Sequence, residues 1–153
     1  MQPAVDRASI DDLSTVTGEQ EEFWGERDIA PLHHPMFAHE FGETSVVLRG
    51  ADGLILAYLL GFVTIDGRVG YAHLVAVRAS QRRQGLARRL YEEFESLARA
   101  RGARALKAYT RPVNSGSIAF HQAIGMSATE VADYAGPGEA RVVFWRELPP
   151  AVS

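Results

Sequence analysis

Residues 82–89 read RRQGLARR, four arginines around one glycine in a chain of 153 residues whose formal net charge is −3. With Arg78 added, residues 78–89 carry five arginines and no acid. The chemistry this suits is the binding of a small anion, above all a phosphate. A turn that leads from a strand into a helix leaves several N–H groups without intrahelical partners, and the helix dipole adds positive charge there. Gly85 lets an anion approach the backbone, and Ala87 keeps the next position small. The arginines then offer charge-assisted hydrogen bonds to further oxygens. A surface helix with solvated arginines would look the same in this stretch alone. Two other phosphate sites fit poorly: there is no Gly-Lys-Ser/Thr triplet, and one glycine after a four-residue connection is not a three-glycine dinucleotide turn.

The elements around the turn must position it. The run YAHLVAV, residues 71–77, reads as a short buried central strand. After it, with the helix placed from near Arg83, Leu86, Leu90, Phe94, Leu97 and Ala98 recur at helical spacing, and Gly102 sits where that helix stops. The run ALKAYT (residues 105–110) is the next strand, and a strand, a helix and a strand in this order imply a right-handed parallel crossover. Asn114 and Ser117 can cap a short helix to about Ile124, ended by Gly125. Upstream, TSVVLRG and GLILAYLLGFVTI are strands joined by a hairpin turn. The first 40 residues suggest helical pieces, with Asp11 a cap and a second helix in GEQEEFWGERD. VADYAGPGEARVVFWREL reads as two final strands joined by a glycine-proline turn. The expected class is a mixed α/β sheet in one domain spanning residues 1–153.

These residues carry a family resemblance. VRASQRRQGLARRL resembles the pyrophosphate-binding motif Arg/Gln-x-x-Gly-x-Gly/Ala of the GNAT superfamily of acyl-CoA N-acyltransferases, matched by Arg82, Gly85 and Ala87. About 30 residues on, NSGSIAFHQAIGM is similar to that family's Asn-x-x-Ser/Ala-x-x-Phe-Tyr-x-x-x-Gly-Phe pattern. The resemblance covers roughly residues 44–148 and implies a central sheet of six to seven strands, splayed between two parallel strands, with helices on both faces. It implies that acetyl-CoA is the cosubstrate. Its pantetheine arm would pair with the edge formed by Val75, Ala76 and Val77. The N–H groups of Arg83, Gln84, Gly85, Leu86, Ala87 and Arg88 would hold the pyrophosphate, with an arginine on the 3′-phosphate. Asn114, Ser117 and Phe120 belong to the second motif.

The implied reaction is acetyl transfer to a primary amine, expected to be that of a small molecule, by direct attack in a ternary complex. Such an amine has a pKa of about 10.4 and must lose a proton. His73 is the candidate base: the sequence around it is similar to the arylalkylamine N-acetyltransferase branch, where a histidine at this position relays the proton. That branch has a second histidine where Tyr71 stands. His121 takes the place of the family's tyrosine and is the candidate acid for the departing thiolate. Each histidine could equally be a packed residue satisfied by hydrogen bonds, and Tyr109 stands in reserve.

The segment HHPMFAHE (His33, His34, His39 and Glu40) matches no common zinc spacing, and with no cysteine in the chain no thiolate supports a metal; none is expected. A loop with solvated histidines, some touching substrate, is the reading. Phe23-Trp24 and Phe144-Trp145 are read as packing. No run approaches the roughly 20 apolar residues of a membrane span, and no signal peptide is visible, so the expectation is a cytoplasmic protein without membrane or nucleic-acid partners. The last strands leave a homodimer open. A non-catalytic acyl-CoA sensor is the rival reading, sustained by His121 in place of tyrosine.

Overall fold

In the computed structural model, which describes residues 3–150, seven strands form one sheet in the order β1-β2-β3-β4-β5-β7-β6. They are β1 (Ala4–Arg7), β2 (Val46–Arg49), β3 (Ile55–Val63), β4 (Val69–Val77), β5 (Ala105–Thr110), β6 (Ser127–Val131) and β7 (Arg141–Glu147). Only the β4–β5 pair is parallel, as the crossover through α4 (Leu86–Ala100) requires. The expected mixed sheet with helices on both faces is therefore present. The terminal residues 1, 2 and 151–153 of the span expected as one domain lie outside the described residues.

One face of the sheet packs on α4, whose Leu86, Leu90, Phe94 and Ala98 are buried at the predicted spacing. Ile118, Phe120 and Ile124, from α5 (Ser115–Ala123) and its end, join this core. The other face takes α1 (Ile10–Gly18), α2 (Gln20–Trp24) and α3 (Met36–His39), which bury Leu13, Val16, Phe23 and Phe37 against Tyr58, Leu60, Leu74 and Ala76.

β4 changes its habit midway. Its register with β3 runs evenly from Ala57↔Val77 to Leu60↔Leu74 and then resumes at Gly61↔Ala72, so His73 is an extra, unpaired residue. This is a β-bulge, which bends a strand and re-aims its side chains. Ala72 belongs to the α4-side core, whereas Leu74 and Ala76 belong to the opposite core. Parallel pairing with β5 covers only Val69, Gly70 and Tyr71. Beyond that point the two strands have parted.

Four details differ from the sequence reading. The amino-terminal segment contains β1, whose four residues AVDR show no strand pattern and owe their conformation to pairing along β2. Ser9, not Asp11, caps α1: its Oγ accepts from Asp12 N at 3.1 Å while Asp12 Oδ2 accepts from Ser9 N at 3.0 Å, a reciprocal capping box. Helix α4 starts at Leu86 rather than near Arg83, because Arg83 (φ 65°) and Gly85 (φ 75°) are left-handed and break the helix. The penultimate strand is Ser127–Val131, so residues 132–140 are the connection. Asp133, Gly136 and Gly138 all have positive φ there.

Gly61 stands opposite the bulge. A Cβ on it would lie 2.7 Å from Phe94 Cε1 and 2.8 Å from the Tyr71 carbonyl oxygen, and neither a fully buried ring nor a strand carbonyl can yield cheaply. Gly61→Ala is expected to cost about 1–3 kcal/mol by overpacking. Urea unfolding should show a lower midpoint at an unchanged slope; an unchanged midpoint would mean the bulge region is loosely packed.

Candidate active site

The parting of β4 from β5 opens two adjoining cavities. The first, of about 320 Å³, runs between residues 72–75 of β4, the end of β5 and the segment after α2. The second, of about 450 Å³, runs along Val75, Ala76 and Val77 to Arg82 and Ala87. Trp24, Arg27, Val75, Asn114, Ser117 and His121 border both. The strand edge, the turn and the second motif, chosen from sequence, thus meet around one cleft.

At the turn, among the described residues, no side chain caps α4, so the first-turn N–H groups of Leu86, Ala87 and Arg88 have no side-chain capping acceptor. No atom lies within 4 Å of where a Cβ on Gly85 would stand, so the glycine answers to its left-handed φ and the space above it is open. The five arginines divide their duties. Arg78 is buried and structural: Nε donates to the Ile55 carbonyl at 2.9 Å, a terminal nitrogen meets Glu19 at 2.6 Å, and the guanidinium lies over Phe23. It belongs to the core and not to an anion site. Arg82 borders the second cavity while donating to the Phe23 carbonyl at 3.1 Å. Arg88 reaches the Ala123 carbonyl at the end of α5. Arg83 and Arg89 make no side-chain hydrogen bond or ion pair among the described residues. Gln84 bonds weakly to Gln81 at 3.4 Å, and the Leu86 side chain enters the core. The Asn114 side-chain Oδ1 accepts from Ser117 N at 3.2 Å, capping α5 at the cleft wall, where Phe120 borders the second cavity.

His73 lies in the bulge and borders the first cavity. Its ring stacks on Phe37 at 4.7 Å between centroids, and Nε2 stands 3.0 Å from the Leu32 carbonyl. A carbonyl only accepts, so Nε2 carries the hydrogen and Nδ1 keeps a lone pair. Burial holds its pKa below the ordinary 6.5, against the opposing pull of the Leu32 bond. His121 is bound at both nitrogens: Nδ1 donates to the Ser117 carbonyl at 2.7 Å, which leaves Nε2 to accept from the Tyr91 hydroxyl at 2.7 Å. It stacks on Phe144 at 4.0 Å, and burial pushes its pKa down as well. Burial pushes the Tyr91 and Tyr71 hydroxyls above the ordinary tyrosine range.

The histidines of the HHPMFAHE segment are not uniformly solvated. His33 is buried, its Nδ1 donating to the Ile29 carbonyl at 2.8 Å and its Nε2 accepting from Tyr58 at 2.7 Å. The Tyr58 hydroxyl accepts in turn from Trp24 Nε1 at 2.7 Å. This chain of bonds holds up the wall that Trp24 presents to the cleft. Sequence reasoning therefore missed Trp24, read as packing, and also Arg27, Leu32, Tyr91, Arg111 and Arg141. None stands in a motif; what joins them is the fold. His34 Nδ1 accepts from Met36 N. Among the described residues no group of three His, Asp or Glu side chains is arranged to hold a metal, and no helix is long and apolar enough to cross a membrane.

The model of the acetyltransferase (GNAT) family matches residues 10–126, and the chain belongs to that family. No curated protein matches the chain. Among solved structures, Ard1 from Thermoplasma volcanium is 21% identical and superposes with a TM-score of 0.75 over 97% of this chain and 99% of that one. The ribosomal-protein-S18-alanine N-acetyltransferase from Escherichia coli is 18% identical, with a TM-score of 0.72 over 99% and 97%. A phosphinothricin acetyltransferase from Sinorhizobium meliloti, solved in complex with acetyl-CoA, is 19% identical with a TM-score of 0.72 over 97% and 89%. At these identities the likeness is one of fold.

The lowered pKa values of His33, His73 and His121 make a prediction about stability. Below pH 6.5 the unfolded chain takes up protons that the folded chain resists, so folding weakens as pH falls through and below that value. Urea midpoints measured downward from pH 7.5 should drop below pH 6.5, and His121→Gln should reduce the slope. A midpoint flat to pH 5 would contradict the burial described for these rings.

Proposed function

We propose that this protein transfers the acetyl group of acetyl-CoA to a primary amine of a small molecule by direct attack in a ternary complex. The observation that carries the reading is the stretch of β4 from residue 72 to 77, left unpaired by β5 beside a turn of open N–H groups. An extended amide-bearing arm can pair with such an edge as an added strand would. A pyrophosphate suits the N–H groups of Leu86, Ala87 and Arg88, with Gly85 open above it, and Arg83 or Arg89 suits the 3′-phosphate. The cosubstrate supplies the activated thioester.

In the transfer, the amine nitrogen forms a bond to the carbonyl carbon, the carbon–sulfur bond breaks and the thiolate departs. From its charged form the nitrogen loses two protons: His73 accepts the first at Nδ1, directly or through water, and passes it to solvent, and the second leaves after attack, to the departing thiolate or to solvent. The depressed pKa of His73 keeps it unprotonated and ready at neutral pH. A strand N–H of the bulged region suits the oxyanion. His121 as the acid must first gain a proton or release the Ser117 carbonyl, since neither nitrogen is free. A thiol of pKa about 8.5 leaves tolerably as thiolate without it.

That commitment of His121 is also the one observation favouring the second reading, an acyl-CoA sensor without turnover. Release of free thiol from acetyl-CoA separates the two. An enzyme releases thiol when amines are added, and His73→Ala should lower kcat about 100-fold and remove the acidic limb of the pH–rate profile. Micromolar acetyl-CoA binding with no thiol release across a broad amine panel would establish the sensor instead. An unaltered pH–rate profile in His73→Ala would take His73 out of the mechanism.

A further inference from the structure

The first cavity is lined by three arginines, Arg27, Arg111 and Arg141, and by no aspartate or glutamate. The second cavity has no acidic lining either. In a protein of net charge −3 this exclusion of carboxylates is local, and it decides what the cleft can accept.

The three arginines come from separate elements. Arg27 follows α2, its guanidinium 5.7 Å from the Trp24 ring and without a carboxylate partner among the described residues. Arg111 follows β5 and Arg141 opens β7. The register that pairs Thr110 with Val142 brings these two to the same end of one ladder. Like charges at neighbouring cross-strand positions repel, so the arrangement costs stability unless an anion sits between them. Among the described residues only Glu139 offers relief: it stands 3.4 Å from Arg141, its side chain is 59% exposed, and Arg111 has no such partner among them. Lys107, two residues before Tyr109 on β5 and so on the same strand face, adds positive charge over the Tyr134 ring.

The cosubstrate's phosphates do not explain these arginines. The open turn lies at the far end of the cleft, where Arg82 borders only the second cavity; Arg111 and Arg141 border only the first, beside His73. Of these arginines Arg27 alone borders both.

Resting on the acetyl-transfer reading, we infer that the acceptor is an amine that also carries a carboxylate, an amino-acid-like molecule whose anionic end lies between Arg111 and Arg141. Paired guanidinium groups match a carboxylate in geometry as well as charge. The walls of Trp24, Leu32 and Tyr109 suit an apolar carbon body, and about 320 Å³ suits a small one. Polyamines and aminoglycosides, which bring several positive charges, would meet repulsion with no carboxylate lining either cavity to offset it.

The test compares matched pairs: leucine with isopentylamine, phenylalanine with 2-phenylethylamine, and methionine with 3-(methylthio)propylamine. Each is titrated calorimetrically into the full chain saturated with CoA, and each is assayed for thiol release from acetyl-CoA. The expected result is at least one pair in which the amino acid binds more than tenfold tighter than its decarboxylated amine. Arg111→Gln and Arg141→Gln should each weaken that amino acid about tenfold to a hundredfold, the scale of a lost charge-assisted bond, and shrink the difference within the pair. The wild-type comparison stands even if a variant folds poorly. Equal or tighter binding of the decarboxylated amines, or no binding of any amino acid, overturns the inference. Thiol release by the plain amines alone would leave acetyl transfer standing without it. Tight amino-acid binding with no thiol release would keep the carboxylate site between Arg111 and Arg141 but remove the acceptor role along with acetyl transfer.

Discussion

Everything that gives this protein a cleft follows from one loss of hydrogen bonding. Among the described residues β4 and β5 are the only parallel neighbours in the sheet, and they pair through just three residues of β4 before separating. A buried strand ordinarily satisfies both of its edges. Here the second edge of residues 72–77 is held open by structure on either side. The bulge at His73 bends β4 away, with Gly61 permitting the close approach of Phe94 beside it. Tyr58, His33 and Trp24 brace the facing wall, and Asn114 caps α5 on the opposite lip. The unsatisfied edge is stable because the core on both faces of the sheet fixes the two strands independently.

The same bulge sets His73 beside the open edge. Because His73 is the extra residue, it and Leu74 both fall on the face of the amino-terminal helices, which sets His73 against Phe37 and Leu32. The hydrogen bond to Leu32 selects the tautomer, and burial keeps the ring neutral. His121, one helix away, is neutral for the same reason and is fully occupied by Ser117 and Tyr91. Two histidines of like burial thus differ in what they can offer, and hydrogen bonding makes the difference. Charge is partitioned in the same way along the cleft, with an open basic turn at one end and Arg111 and Arg141 at the other.

The central architecture was legible from the chain, since its signals are local. The apolar run of β4, the period of α4 and the Asn114 cap are written in consecutive residues, and each was found within a few positions. The arginine turn was legible as a basic turn between β4 and α4, but not the sorting of its arginines. Arg78 looks like its neighbours until Glu19 and the Ile55 carbonyl are brought to it from far along the chain. β1 was invisible because AVDR becomes a strand only against β2. The wall of the first cavity was hidden for a similar reason: Arg27, Arg111 and Arg141 are distant in sequence and meet only when α2, β5 and β7 close around the gap. His33 read as solvated because nothing in HHPMFAHE announces its bonds to Tyr58 and Ile29.

The central claim is that the open edge of β4 is completed by an extended ligand arm. Amide hydrogen exchange, read residue by residue by NMR with and without acetyl-CoA, tests it most directly. The account predicts that acetyl-CoA slows exchange in residues 72–77 and in the turn through Arg88, with little change along the β3 side of the sheet. Binding that leaves residues 72–77 unprotected, or no binding at all, would contradict it.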